Sequence, residues 1–377
     1  MSEFQNRLKI YLPLIFALLL GGGFYLGTML NFSDGSGKVF IQKKSPYNKV
    51  NDVLSYVEQE YVDSVNRKDL VESTITQLLA NLDPHSSYIP AKELKDITEP
   101  LEGNFEGIGI EFNILRDTIR VVSVISGGPS EQLGILAGDK IVRIEGANVA
   151  GIQISNNDVR KKLKGKGGTK VTIGIKRRGV AQLIEFTVIR GTIPIYSVDA
   201  AYMLDKKTGY IKISRFAETT FAEYISVFKK LKIQGMENMI LDVRGNGGGI
   251  LDIAVDIADE FLPQGEMIVY TKGRNQPREE HYATKQGAFE KNKLIILIDE
   301  NSASASEILA GAVQDNDRGL IIGRRTFGKG LVQRQTMFLD SSAMRLTVAR
   351  YYTPTGRCIQ KPYDKGLEDY YSEEQAR

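Results

Sequence analysis

Apolar residues recur along this chain with two different periods, and the change between them marks its organisation. From Tyr47 to Ala80 the spacing is helical: Val50, Val53, Leu54, Val57 and Tyr61 share one face, and Leu70, Ile75, Leu78 and Leu79 share the next. The stretch Asn81-Leu-Asp-Pro-His-Ser-Ser-Tyr-Ile-Pro90 interrupts it with prolines. From Glu102 short alternating runs with glycine turns take over, at Ile119–Ile125, Ile141–Ile144, Val171–Lys176 and Leu183–Ile189, with one helical run from Asn157 to Leu163. After Gly191-Thr-Ile-Pro194 the two patterns alternate. Strands are expected at Gly209–Phe216, Met239–Arg244, Met267–Thr271 and Leu294–Asp299, and helices at Phe221–Leu231 and Ile250–Leu262. Alternation of this kind predicts a layered α/β core.

The amino terminus differs from both. Ile10 to Leu30 is 21 residues without a charge, preceded by Arg7 and Lys9, about the ~20 residues that span a bilayer. A cleaved signal peptide, whose apolar region is typically ~7–15 residues, is the competing reading. No Ala-x-Ala site follows, which favours an uncleaved anchor. The expected organisation is a cytoplasmic tail (1–9), a transmembrane anchor (10–30), a linker (31–46), a helical region (47–100), a β-rich block (101–192), an α/β core (193–361) and a tail (362–377).

Composition narrows the chemistry. Lys+Arg 49 against Asp+Glu 46 gives no reason to expect a nucleic-acid partner. A single cysteine, Cys358, excludes an internal disulfide and a multi-cysteine metal site, and two histidines, His85 and His281, argue against a histidine-rich one. His281 sits in a charged run that reads as an exposed loop, and a capping or loop-bracing role is favoured over catalysis for His85.

Three stretches could carry chemistry. Asn301-Ser-Ala-Ser-Ala-Ser-Glu307 follows an apolar strand and opens a helical pattern, so a serine nucleophile there would stand beside the free N–H groups of a helix start. Ser304 with Glu307 also fits a capping box, and the local sequence leaves the two readings even. Gly245-Asn-Gly-Gly-Gly249 lacks the endings of a phosphate or dinucleotide loop; it is a tight turn or a backbone oxyanion donor. Lys329, between Gly328 and Gly330, would reach into a confined space, and a buried lysine with a depressed pKa can serve as the base for a serine.

In this order the motifs resemble the carboxy-terminal processing (tail-specific) proteases, Ser–Lys peptidases with an embedded PDZ domain. The likeness runs from about Tyr47 to Gln360. It is carried by Leu82-Asp-Pro-His-Ser-Ser-Tyr88, the β-rich block with its Gly134-Ile-Leu-Ala-Gly-Asp139 turn, Leu241-Asp-Val-Arg-Gly-Asn-Gly-Gly-Gly249, Ser302-Ala-Ser-Ala-Ser-Glu307, Phe327-Gly-Lys-Gly330 and Tyr352-Thr-Pro-Thr-Gly356. The resemblance implies an α+β multidomain chain, with a ClpP/crotonase-like layered protease core, an inserted PDZ β-barrel-like domain and a helical amino-terminal region. It also implies Ser304 as nucleophile, Lys329 as base, Gln333 orienting that lysine, and an oxyanion hole from the N–H groups of Ala305 and Gly248. Asp315 matches a position that supports activity or is purely structural. The PDZ carboxylate loop maps onto Gly107, Ile108, Gly109 and Ile110, while Val159 and Leu163 line the side-chain pocket or pack the small core.

The implied activity is a serine endopeptidase without metal or organic cofactor. Its partners would be proteins or peptides with accessible C-termini, together with the membrane through its anchor; homo-oligomerisation is left open. The implied location is the bacterial inner membrane, single-pass, with the catalytic part periplasmic. Gly247 stands where the family usually has proline, and Lys164 where its PDZ pattern has arginine. The rival readings are a non-catalytic PDZ adaptor and an acyl-CoA enzyme.

Overall fold

The computed structural model describes residues 16–22, 49–284, 287–364 and 366–372. The chain forms two compact units, Met1–Val71 and Glu72–Arg377. In the first, residues 16–22 are helical and a further helix runs Lys49–Glu60. That helix has the expected amphipathic spacing, yet none of its residues is buried, and Val50 and Val53 are exposed.

The expected membrane anchor, and with it the single-pass inner-membrane location, is corrected here. No helix among the described residues is long and apolar enough to cross a membrane. Within the span 10–30 the described helix covers residues 16–22, about 10 Å at ~1.5 Å per residue against a hydrocarbon core of ~30 Å. The rest of that span lies outside the described residues, as do the expected tail 1–9 and linker 31–46.

The second unit holds the α/β layers. Five strands stand in the order Val198–Met203, Thr208–Ile213, Asn238–Asp242, Leu294–Ile298, Leu320–Gly323; the first pair is antiparallel and the others are parallel. Parallel neighbours need crossovers, and the helices Thr220–Ile233 and Leu251–Asp259 lie between successive parallel strands in the chain. Their apolar stripes meet the sheet in one core that includes Ile211, Tyr224, Phe228, Leu241, Ile257, Phe261, Ile296 and Leu309. The helix Ala305–Asp315 is buried at every position from Ala305 to Val313. A helix buried on all sides belongs between layers, and this one contacts the helix Leu251–Asp259 and strands of both sheets.

A second sheet covers it, built from segments far apart in the chain. The strand Ala343–Tyr352 pairs with Ser87–Ile89, Met267–Lys272 and Leu331–Met337, and Glu279–Tyr282 adds to Met267–Lys272. His281 therefore lies on a strand rather than in the expected loop.

The β-rich block folds around a core of its own. Ile110–Ile114, Ile119–Val124, Lys140–Ile144, Lys170–Lys176 and Ile184–Ile189 form an antiparallel sheet, with Ala147–Asn148 pairing Lys140–Ile144. Ser155 caps the helix Asn156–Leu163 by accepting the Asp158 N–H at 3.1 Å. Val159 and Leu163 are both buried in that core with Ile119, Ile141, Ile173 and Val188.

Candidate active site

The three serines of 302–306 separate by what their hydroxyls touch. Ser302 Oγ donates to Val243 O at 2.8 Å and Ser306 Oγ to Asn246 O at 2.9 Å, and both residues are fully buried. These two lock the helix start to the strand and glycine turn before it. Ser304 sits between them in a left-handed backbone, φ 55° and ψ −114°. A non-glycine residue in such a region costs of order 1–3 kcal/mol, and strain of this kind concentrates at functional positions.

The glycine turn presses against it. Gly248 has φ 100°, and a Cβ there would come within 2.7 Å of Ser304 Cβ and 2.7 Å of Ala303 O. Only glycine permits that approach. Asn246, fully buried, holds the turn: its Nδ2 donates to Ile213 O at 3.0 Å, its carbonyl accepts the Ala303 N–H at 3.0 Å, and its Oδ1 accepts the Gly248 N–H at 2.9 Å. Just upstream, the buried Asp242 carboxylate takes the Tyr210 hydroxyl (2.6 Å) and the Arg244 guanidinium (2.7 Å).

Lys329 is brought to Ser304 by a residue whose wider role the sequence pattern did not disclose. Glu307, only 2 % exposed, accepts the Ser304 N–H (2.8 Å), the Gly328 N–H (2.7 Å) and the Lys329 N–H (2.8 Å). Ser304 and Lys329 share one oxygen, so their amide nitrogens stand less than about 6 Å apart. The capping-box spacing points to the first of these bonds; the other two depend on a loop more than twenty residues further on. Burial raises the Glu307 carboxyl above the usual range, against the pull of these N–H donors. Tyr351, also buried, places its hydroxyl within reach of the carbonyls of Lys329 and Ser304, the latter at 3.2 Å. The flanking glycines let the lysine loop pack closely: a Cβ on Gly330 would lie 2.6 Å from Gln360 N.

The Lys329 amine is held below the ordinary lysine range, first by burial and then by the neighbouring positive charge of Arg345; Glu307 and Asp83 oppose this more weakly. It opens on a cavity of about 470 Å³ lined by His85, Gly245, Gly247, Asn301, Ala303 and Phe327. Gln333, expected beside the lysine, donates its side-chain amide to Leu331 O at 3.1 Å. Asp315 stands at the opposite end of the helix from Ser304. It accepts the Thr355 N–H (3.1 Å) and hydroxyl (2.5 Å) and pairs with Arg357, so it fastens the Tyr-Thr-Pro-Thr-Gly turn.

The β-rich block carries a second cavity, of about 580 Å³, lined by Gly107, Ile108, Gly109, Ile110, Leu163 and Lys164 among others. Gly109 takes φ 75°, and the strand Ile110–Ile114 is at the sheet's edge. Of the two helix residues expected there, Leu163 lines the cavity, while Val159 is fully buried in the core. Lys164 bridges Asp96 (3.0 Å) and Glu99 of the helix Ala91–Glu102.

Known families match these same regions. Residues 207–369 match the model of peptidase family S41, and residues 107–188 match that of the PDZ domain. The carboxy-terminal-processing protease of Bartonella bacilliformis is 38% identical over 317 residues, covering 83% of this chain and 72% of that protein. The carboxy-terminal processing protease CtpA of Bacillus subtilis is 31% identical over 370 residues, 97% of this chain and 77% of that protein. Among solved structures, a photosystem II D1 C-terminal processing protease is 30% identical, with a TM-score of 0.47 and 84% of each chain covered. The chain therefore belongs to the carboxy-terminal processing proteases of peptidase family S41, serine peptidases that carry a PDZ domain.

Proposed function

We propose that the protease works through a Ser304–Lys329 dyad. Ser304 attacks the scissile carbonyl, Lys329 takes its proton and returns it to the leaving amine, and water hydrolyses the acyl-enzyme by the same route. The observation that carries this reading is the Glu307 carboxylate, which holds the amides of both residues on one buried oxygen. Ala305, at the first turn of its helix, has no intrahelical carbonyl for its N–H and is the first oxyanion donor. Gly248 is the second, once its N–H leaves Asn246 Oδ1. Gln333 and Asp315 act at a distance: one steadies the strand after the lysine loop, the other the turn at 353–356. The layers around the nucleophile helix are of the ClpP/crotonase type. The groove at Gly107–Ile110 takes a substrate's terminal carboxylate, and its chain adds to the edge strand Ile110–Ile114.

An active-site phosphonylating probe tests the nucleophile. A fluorophosphonate is expected to modify Ser304, located by mass spectrometry of the digested protein, and to leave Ser304→Ala unmodified. An adduct on another serine overturns the assignment.

The base makes a pH prediction. Lys329 must be unprotonated, so kcat/KM rises with pH through its lowered pKa. Arg345 disfavours the protonated lysine, and Arg345→Gln removes that effect, raising the Lys329 pKa. The acid limb of the kcat/KM profile is expected to move to higher pH; a limb that stays in place contradicts Lys329 as the base.

A further inference from the structure

The cavity beside Lys329 holds a side chain that the dyad does not use. His85 reaches it from the Asn81–Pro90 segment, which is fixed to the strand Ala343–Tyr352. Asp83 accepts the N–H groups of His85 and Ser86 (both 2.8 Å), the Ser86 hydroxyl (2.6 Å) and the Thr347 hydroxyl (3.0 Å). Ser86 Oγ in turn accepts the Thr347 N–H at 3.0 Å. The imidazole meets Phe327 and Tyr370 edge-on, with ring centroids 6.5 and 5.6 Å away, and its Nε2 lies 2.9 Å from the Tyr370 hydroxyl. This is more construction than a loop brace requires.

The position of the ring proton can be worked out from the main chain outward. Gly330 N–H donates to Gln360 Oε1 at 2.9 Å, which settles which end of that amide is oxygen. Gln360 Nε2 then donates to the Tyr370 hydroxyl oxygen at 3.3 Å. The tyrosine's own proton has one acceptor among the described residues, His85 Nε2. A neutral imidazole that accepts at Nε2 carries its hydrogen on Nδ1. Burial, and after it the charge on Lys329, push His85 down to about 4, so the neutral form holds at physiological pH. Among the described residues no hydrogen bond engages Nδ1.

We infer that His85 contacts the substrate, its Nδ1–H donating to a main-chain carbonyl of the peptide that lies in the cavity between Gly247 and Phe327. The inference rests on the Ser304–Lys329 reading, since it takes this cavity as the substrate's. A neutral donor suits the place: it orients a peptide carbonyl without adding a positive charge against the lysine. The same tautomer removes His85 as a rival base, because its one lone pair is spent on Tyr370.

Two substitutions separate contact from scaffolding. His85→Asn keeps a donor near Nδ1 and loses the acceptor for Tyr370; His85→Gln keeps an acceptor near Nε2 and loses the donor. Hydrolysis of a peptide amide and fluorophosphonate labelling of Ser304 are measured on both. Substrate contact predicts that His85→Gln loses about tenfold in kcat/KM, carried mainly by KM, while His85→Asn stays within about twofold and both label Ser304 at the wild-type rate. The reverse order, equal activity, or labelling that falls in step with hydrolysis overturns the inference in favour of a support for Tyr370. A wild type that does not label at Ser304 overturns the dyad and, with it, this use of the cavity.

Discussion

Glu307→Ala is expected to cost the protein several kcal/mol of stability and nearly all of its activity together. Each buried N–H left without its acceptor costs about 1–3 kcal/mol, and this carboxylate serves three, on Ser304, Gly328 and Lys329. Whole domains are stable by only ~5–15 kcal/mol, so the loss is a large share. Glu307→Gln is the informative companion. One oxygen accepts two of the three N–H donors, so an amide turned with its oxygen there keeps those two and leaves the Gly328 N–H without its acceptor. It should therefore fall between wild type and Glu307→Ala in both urea midpoint and kcat. A Glu307→Ala variant with an unchanged midpoint and wild-type turnover would show that the clamp is not what holds the two residues together.

Lys329→Ala is expected to lower kcat by at least about 10³-fold, the scale on which removing one member of a catalytic unit acts. Its fold should survive, because the main-chain bonds from Lys329 to Glu307 and Tyr351 do not involve the side chain. Neither histidine can replace it in this account. His281 lies on the strand Glu279–Tyr282, outside the residues lining the cavity, and His85 gives its lone pair to Tyr370. Hydrolysis by the variant within about tenfold of wild type, at a pH where the protein is folded, would mean that another base serves Ser304.

The layered core was legible wherever a periodic apolar run coincided with an element. The strands at 208–213, 238–242 and 294–298 and the helices at 220–233 and 251–259 differ from their expected limits only at the ends. Of the second sheet, Met267–Lys272 was legible as a strand, but its partners were not. The sheet's central strand, Ala343–Tyr352, gathers partners from as far away as Ser87–Ile89, and nothing local in Ala-Met-Arg-Leu-Thr-Val-Ala-Arg announces them.

The site divides in the same way. A strand ending in small residues before a helix pointed to the nucleophile turn. The choice among its serines is physical only through distant carbonyls, Val243 for Ser302 and Asn246 for Ser306. Glu307 looked like a helix cap because its second and third partners come from a loop that closes in three dimensions. The partner of His85, Tyr370, is 285 residues away, so no local pattern could show it. The amino-terminal expectation rested on a run of uncharged residues, which records composition alone; among the described residues no helix is long and apolar enough to cross a membrane.

The most direct test of the central claim compares cleavage of an unfolded protein substrate by Ser304→Ala, Lys329→Ala and the double variant. If the two residues act as one unit, either substitution removes what the pair supplies, and the double variant should cut no more slowly than the slower single one. A double variant whose loss equals the product of the two single losses would show that Ser304 and Lys329 act independently, and would contradict the dyad.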